Sequence, residues 1–350
     1  MRRHIRTIVV VLIGAALMAF ALRGADLGRV GDAVLGARLD LIGMAVLAMV
    51  ATYVARAVRW CYLLEPLGRV HLGVALRATV IGFAATAILP GRVGEVLRPY
   101  VLARREQLSV SAAIGTVVLE RLLDLAVILA IFGLAVVVFE PQGGVEESGL
   151  LTALHAGAAV AAVFALGTLV LACVAATSPA AVGRLVARVT AVLPAGLSQR
   201  LAQFSHRFSE GFGAMRRPGP LVWAMAWTVI IWVSITAGLW FVTVAFDIGM
   251  SPAGAGIVLV LIVLGVAVPT PAGVGGYHAA FQVGATTLFA ASAESAVGAG
   301  LVAHAISFLP VTVVGVILMA FEGVRLAGVG RLVGSVADVR ESGAEGGTSA

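Results

Sequence analysis

Long apolar segments alternate along the chain with short loops that carry most of its charge. A helix needs about 20 mostly apolar residues to cross a membrane. Six segments approach or exceed that length, at about residues 7–22, 41–64, 111–139, 150–176, 220–246 and 296–324. The pattern therefore predicts six full transmembrane helices in an all-α integral membrane protein.

Two further apolar segments are interrupted in the middle by proline and glycine. The first begins at Gly73 and breaks at Pro90-Gly91-Arg92-Val93-Gly94-Glu95. The second begins at Pro252, breaks across residues 269–276 and resumes to Ala290. Irregular backbone at membrane depth is tolerated where protein or water satisfies its polar groups. We therefore expect two re-entrant helical hairpins, which brings the total to eight apolar segments.

Arginine placement sets the expected orientation, because cytoplasmic loops of membrane proteins are enriched in positive charge. All 24 basic residues are arginine. With a cytoplasmic N-terminus and each hairpin entering and leaving on one side, 19 arginines lie in the cytoplasm and three outside. Arg92 and Arg121 fall at membrane depth, and the acidic loop 140–148 falls outside. The first hairpin then enters from the cytoplasm, the second enters from outside, and the C-terminus is cytoplasmic.

This arrangement predicts an inverted repeat. Residues 41–139 and 220–324 have the same order of span, hairpin and span, in opposite orientations. The two breaks also share three of six positions when Pro90 is aligned with Pro271. Paired interrupted segments in corresponding halves are typical of inverted-repeat transporters. The alternative is chance similarity between two glycine-rich stretches in a chain with 42 glycines.

Composition narrows the class of protein. The chain is 60% hydrophobic and 12% charged, against roughly 25% charged residues in soluble domains. No basic run is interleaved with aromatic residues, so nucleic acid is not an expected partner. We expect one transmembrane domain over residues 1–325, a basic amphipathic segment at 178–219 on the cytoplasmic surface and a disordered cytoplasmic tail at 326–350.

The first break contains the strongest candidate binding site. Gly91 and Gly94 permit tight turns, and a half-helix that starts near Gly94 presents free N–H groups to an anion. Arg92 adds a forked donor suited to phosphate, with Glu95 and Arg98 in the same half-helix. We expect these residues to bind a lipid headgroup; the alternative is a structural salt bridge that closes the turn.

A second group of charges lies inside the span at 111–139. Glu120 and Asp124 are four residues apart on one helix face, and Arg121 is three residues from Asp124. Charges that face lipid are costly, so this face should point into the bundle. We expect a buried charge network that pairs with Arg92 or Arg98. A purely structural network is the alternative.

The second break carries no charge. Its candidate gate residues follow the prolines and combine backbone freedom with two polar rings: Pro271, Gly273, Gly275, Gly276, Tyr277 and His278. For His278 a satisfied core position is the favoured interpretation. Cys61 and Cys173 form no CxxC pair, so we expect no metal and no cofactor. Hydrolase, P-loop and sugar-nucleotide metal motifs are missing from the sequence, which argues against an enzyme.

Four stretches together resemble the lysylphosphatidylglycerol synthase transmembrane (flippase-like) family. They are Arg59-Trp60, the run from Leu89 to Arg98, Glu120-Arg121-Leu122-Leu123-Asp124, and the run from Pro269 to Gly275. The resemblance implies a bacterial or archaeal plasma-membrane protein related to the flippase half of the multiple peptide resistance factor, which is associated with moving aminoacylated phosphatidylglycerol between leaflets. By the resemblance, the family's characteristic motif positions fall on Arg92, Glu95, Arg98, Glu120, Arg121 and Asp124. The family's soluble aminoacyl-transferase domain has no counterpart here, so synthesis of lysyl-lipid is not expected.

Three functions therefore compete. The leading one is a translocase for a phosphate-bearing lipid, aminoacylated or polyprenyl-linked, in the bacterial inner membrane, with a separate lipid-modifying enzyme as an expected partner. The second is a membrane transferase that uses a polyprenyl-phosphate donor, with Glu120 or Asp124 as its base. The third is a scaffold subunit whose charges are structural.

Overall fold

The computed structural model describes residues 2–89, 92–139, 211–268 and 270–322, with a few helical residues between 152 and 167. The described residues form α-helices and short 3-10 turns and contain no strand. The helices are α1 (Arg2–Ala21), α2 (Leu27–Gly36), α3 (Leu39–Leu64), α4 (Leu72–Ile88), α5 (Gly94–Arg105), α6 (Val110–Val138), α7 (Pro218–Ala245), α8 (Pro252–Ala267), α9 (Gly276–Phe289) and α10 (Ala293–Phe321). The prediction of an all-α membrane protein is confirmed.

Four helices are long and apolar enough to cross a membrane, by length and composition, within the described residues: α3, α6, α7 and α10. They match four of the six predicted spans. The first predicted span corresponds to α1, whose described apolar part is Leu12–Ala21. The predicted span 150–176 is helical at 156–160, 162–164 and 166–167.

The loop expected between the first two spans contains a helix. Asp26 caps α2, because its carboxylate accepts hydrogen bonds from the backbone N–H groups of Gly28 and Arg29. Such a cap satisfies two of the unpaired donors at a helix start. Val30 is buried against the bundle while Leu35 is exposed. The segment between the first two predicted spans is therefore partly helical, with Asp26 as the helix cap.

Helices α4 and α5 form the first hairpin. Its two ends meet, because the backbone N–H of His71 donates to Glu106 at 3.1 Å. Near its tip the two backbones are in contact at Gly82 and Gly94, where a methyl group on either residue would overlap the other helix. This close approach explains why glycine begins α5.

Helices α8 and α9 form the second hairpin in the same way. At its base, a methyl group on Gly254 would overlap the Phe289 ring. At its tip, Gly265 and Gly276 are packed so tightly that a methyl group on either would overlap the carbonyl of the other. In both hairpins the second helix therefore begins with a glycine in backbone contact with the first helix.

The bases of the two hairpins lie at opposite ends of the long helices. An Arg105–Glu322 ion pair joins the base of the first hairpin to the end of α10. The Phe139 ring, which follows α6, packs edge-on against Phe289 at the base of the second hairpin, with ring centroids 5.7 Å apart. Since α6 starts beside the first hairpin and finishes beside the second, the two hairpins point toward each other. The inverted repeat of the two halves stays a prediction.

Two of the long helices, α6 and α10, each pack on the hairpin of the other predicted half. Helix α10 of the second half packs on α4 of the first hairpin, where a Cβ on Gly315 would meet Ala84. Helix α6 of the first half packs on α8 of the second hairpin, where a Cβ on Gly256 would meet Ala135. The halves are therefore interlocked across small residues, which permit close helix approach in membrane proteins.

Several sequence predictions fall on parts of the chain that the structure does not describe. Gly91, the acidic loop 140–148 and the tail 326–350 lie outside the described residues. The same holds for most of the predicted surface segment 178–219. Its described end, from 211, packs Phe212 and Ala214 into the core beside α3 and α6.

Candidate functional site

A cavity of about 350 Å³ is lined by both hairpins and by residues of α3, α6, α7 and α10. One part of its wall is charged and comprises Arg56, Arg92, Glu95, Arg98 and Arg121. Much of the rest is apolar, including Phe83, Leu239, Val242, Leu259 and Ile262. The cavity thus combines a cationic region with a hydrophobic wall, which are the two environments that an amphipathic lipid needs.

Behind the charged wall, Arg98 and Glu120 form a buried bidentate pair. Arg98 Nη1 donates to Glu120 Oε2 at 2.6 Å, and Nη2 donates to Oε1 at 3.2 Å. The guanidinium also stacks over the Trp60 ring at 3.8 Å, and the Trp60 indole donates to Thr116 at 2.9 Å. The prediction of a buried charge network on α6 agrees with this geometry for Glu120 and Asp124, whereas the Arg121 side chain is 42% exposed. Arg98 is the partner that the sequence offered, and Arg92 instead contacts Glu95 and the Val266 carbonyl.

Asp124 is the second centre of the cluster. Arg59 donates to Asp124 Oδ1 at 2.5 Å, and the Trp232 indole donates to the same oxygen at 3.1 Å. The other oxygen, Oδ2, has the Nη1 atoms of Arg121 at 3.4 Å and Arg56 at 4.0 Å. One carboxylate thus gathers three guanidinium groups from two helices.

Arg59 links the two carboxylates. Besides Asp124, its Nη2 lies 3.5 Å from Glu120 Oε1. The cluster therefore holds four arginines and two carboxylates, a net charge of +2 when all six are ionised. Five of these groups are buried, whereas the Arg121 side chain is 42% exposed. Uncompensated positive charge at the edge of a low-dielectric interior is costly, so the cluster is suited to receive an anion.

Arg92 occupies the tip of the first hairpin. Its backbone is left-handed at φ 55°, a conformation that costs a residue with a Cβ roughly 1–2 kcal/mol. Its side chain reaches the other hairpin and donates to the Val266 carbonyl at 3.1 Å. Glu95 lies 3.9 Å away, so the expected Arg92–Glu95 contact is present but long. Gly94 and both charged residues line the cavity.

The predicted gate residues of the second hairpin divide into two groups. Gly273 and Tyr277 line the cavity, whereas Pro271, Gly275, Gly276 and His278 are not among the described residues that line it. His278 is buried and accepts a long hydrogen bond from the Gly275 N–H at 3.4 Å. Its ring lies 4.6 Å from that of His304. This geometry agrees with the favoured interpretation of His278 as a satisfied core histidine.

Three arginines of the cluster are buried, although the sequence predicts them among the cytoplasmic charges. Arg56 and Arg59 were counted with the cytoplasmic charges at the end of a span, together with Arg98, yet all three are buried. Arg56 and Arg59 lie three residues apart inside α3 and hence on one helix face. This spacing is the signal that marks both as facing the bundle. The positive-inside count is therefore weaker by three residues than the sequence indicated.

A family comparison agrees with this geometry. The family model described as the lysylphosphatidylglycerol synthase TM region matches residues 7–315. The chain belongs to this family. The match covers both hairpins and the whole charge cluster, so the lysylphosphatidylglycerol synthase TM region is here a multi-pass helical membrane domain built around an arginine-rich cavity.

Among curated proteins, the chain is similar to "Glycosyltransferase AglD" of Haloferax volcanii. The two are 26% identical over 108 residues, which is 31% of this chain and 17% of that protein. The chain therefore spans a small part of the relative's length. The similarity adds a glycosyltransferase to the proteins that carry a related segment.

Proposed function

We propose that this protein is a translocase that moves a phosphate-bearing lipid between membrane leaflets. The observation that carries the proposal is the cavity, which places an arginine cluster beside an apolar wall and is lined by two oppositely directed hairpins. A lipid has to shield its charged headgroup to cross the hydrocarbon core, and arginine forks are well suited to phosphate.

The hairpins supply the expected moving parts. Transporters with inverted repeats bind substrate between interrupted helices and open alternately to the two sides. In this proposal the first hairpin covers the cavity from one face, the second covers it from the other, and the lipid tails follow the apolar wall. Both hairpins are then re-entrant segments of the membrane domain.

The proposed location is the bacterial plasma membrane with both termini in the cytoplasm. The Arg105–Glu322 pair supports one element of this topology, because it joins the end of α10 to the base of the first hairpin. Cysteines introduced at Glu65 and at Glu294, in a background without Cys61 and Cys173, test it with a membrane-impermeant thiol reagent. Labelling from outside at Glu294 and not at Glu65 is expected; the reverse pattern contradicts the orientation.

Translocation is tested with purified protein in liposomes that contain a fluorescent phospholipid, whose inner-leaflet pool is protected from an external quencher. The wild-type protein should expose that pool. Arg121→Gln should slow the exposure by roughly tenfold, the effect of about 1.4 kcal/mol. Arg77→Gln is the matched control, because Arg77 is exposed on α4 and is not among the lining residues. A wild-type protein that leaves the inner pool protected contradicts the proposal for that lipid class.

A membrane transferase is the second candidate, favoured by the similarity to a glycosyltransferase. It would use Glu120 or Asp124 as a base, yet both carboxylates are held by arginines, which disfavours proton abstraction. Product formed from a polyprenyl-phosphate-linked donor, without lipid movement, would establish the transferase instead. If Arg121→Gln and Glu120→Gln leave both assays unchanged, the scaffold interpretation is preferred.

A further inference from the structure

Two of the four clustered arginines lack a full ionic partner. Arg59 and Arg98 make the short contacts to the carboxylates, at 2.5 Å and 2.6 Å. Among the described residues, the ionic contacts of Arg56 and Arg121 are the longer ones to Asp124, at 4.0 Å and 3.4 Å. These two also line the cavity. The net positive charge of the cluster is therefore assigned to Arg56 and Arg121.

We propose that Arg56 and Arg121 together bind a terminal phosphomonoester, the headgroup of a lipid such as phosphatidic acid or a polyprenyl monophosphate. The inference rests on the proposed function of lipid binding and names the headgroup class within it. A phosphomonoester headgroup differs from the headgroup of an aminoacylated lipid, which carries ammonium groups.

Charge balance distinguishes the headgroups. A phosphomonoester carries about −1.5 to −2 near neutral pH and neutralises the +2 of the cluster. A diester carries one negative charge and leaves a positive excess in the low-dielectric cavity. A lysyl ester on a diester adds two ammonium groups and brings like charges together, which is unfavourable.

The geometry supports joint binding by the two arginines. Their Nη1 atoms lie within 4.0 Å of the same oxygen of Asp124, so one phosphate can reach both guanidinium groups. Arg56 also lies over the Phe83 ring, with its central carbon 5.1 Å from the ring centroid. The Arg121 side chain is 42% exposed, and Arg121 is among the residues that line the cavity. A guanidinium fork placed in this way donates several hydrogen bonds to one phosphate.

The other charged and titratable groups around this position do not cancel the excess. Glu95 is matched by Arg92 at 3.9 Å, and the lining phenols belong to Tyr53 and Tyr277. The Arg98 guanidinium is held by Glu120 and stacked on Trp60, so it adds positive charge to the wall. The cavity wall thus offers an anion more donors than acceptors.

The first test compares phosphatidic acid, phosphatidylglycerol and lysylphosphatidylglycerol with identical short acyl chains. Their affinities for the purified full-length protein are measured by calorimetry in detergent at pH 7.5 and low salt. Phosphatidic acid should bind at least about tenfold more tightly than phosphatidylglycerol, and the lysyl lipid should bind most weakly. Because the tails are identical, the order reports the headgroup.

A pH series adds a readout that needs no variant. The second proton of a phosphomonoester has a pKa of about 6, so lowering the pH from 7.5 to 5.5 removes much of its second charge. Phosphatidic acid should then lose most of its advantage over phosphatidylglycerol. The diester lipid in the same series reports any pH dependence of the protein's own side chains.

Variants assign the site. Arg121→Gln and Arg56→Gln should each lower the affinity for phosphatidic acid about tenfold and reduce its pH dependence. Arg121→Lys should retain part of the affinity because it keeps the charge, and Arg77→Gln should match the wild type. Arg121 is the primary variant because its side chain is partly exposed, so its replacement disturbs packing least.

Each contrary result has a separate meaning. Equal binding of phosphatidic acid and phosphatidylglycerol, with no difference in pH dependence, overturns the monoester assignment and leaves lipid translocation standing. Tightest binding of the lysyl lipid overturns it as well. If inorganic phosphate competes for the site as strongly as phosphatidic acid does, the ligand is free phosphate and not a lipid. Failure of every lipid to bind, with no movement in liposomes, removes the proposed function itself.

Discussion

The two hairpins are built on one backbone plan and differ in what they carry. In each, the second helix begins at a glycine that touches the first helix, Gly94 in one and Gly276 in the other. Each break also contains a left-handed residue at the aligned position, Arg92 at φ 55° and Gly273 at φ 68°. The backbone requirements are therefore similar, although Gly94 aligns with Gly275 and the contact glycine lies one position later in the second hairpin.

The side chains show the contrast. Counting from the aligned prolines, Arg92, Glu95 and Arg98 of the first hairpin correspond to Gly273, Gly276 and Ala279 of the second. The first hairpin contributes charge to the cavity, and the second contributes Tyr277 and an apolar surface. All charged residues among the described lining residues come from the first half of the chain, so the proposed function places headgroup recognition there.

The largest effect is expected where the first hairpin joins the charge cluster. Arg98→Ala leaves Glu120 without its bidentate partner, and breaking a buried pair costs about 3–5 kcal/mol. Unfolding of the purified protein in mixed micelles measures this. Arg38→Ala is the control: its pair with Asp40 is exposed and should be worth about 1 kcal/mol or less. A loss in Arg98→Ala no larger than in the control would mean that the pair contributes nothing to stability.

A smaller effect tests the shared backbone plan. Gly94→Ala and Gly276→Ala each force a methyl group into the opposite helix, and overpacking of this kind costs about 1–3 kcal/mol or more. Gly73→Ala is the matched control, since nothing lies within 4 Å of its added Cβ; it should stabilise α4 by up to about 1 kcal/mol. The same unfolding measurement applies. If only one hairpin is sensitive, the two tips are not equivalent.

The smallest effect sharpens the comparison at the aligned left-handed position. Arg92→Gly should be more stable than Arg92→Ala by about 1 kcal/mol, because glycine adopts positive φ without strain. Gly273→Ala should lose at least as much, since its Cβ also approaches Val266 at 3.0 Å. Thermal unfolding of the three variants measures the differences. Equal stability of Arg92→Gly and Arg92→Ala would show that the backbone relaxes there.

Sequence reasoning succeeded where a pattern has one physical cause. The breaks at Pro90 and Pro271 correctly predicted that α4 and α5, and α8 and α9, are separate helices, because a helix cannot continue through proline without losing hydrogen bonds. That the two hairpins are re-entrant stays a prediction. Glu120 and Asp124 were correctly expected to face the interior, because carboxylates are too costly to expose to lipid.

Sequence reasoning failed where one residue type has two roles. An arginine near the end of an apolar segment can flank the membrane or face a buried carboxylate, and only the partner distinguishes these roles. Arg59 is fully buried because it forms ion pairs with Asp124 and Glu120, which lie about 60 residues away in sequence. No local sequence pattern predicts that contact, so the burial of the cluster can be recognised only from the folded structure.

The hydrogen bond from Arg92 to the Val266 carbonyl has a mechanical consequence. The donor belongs to one half of the repeat and the acceptor to the other. Any rotation that separates the two tips must first break this bond, whichever half moves. If the hairpins move apart as proposed, opening at either face of the cavity therefore requires that this contact between the two tips be broken.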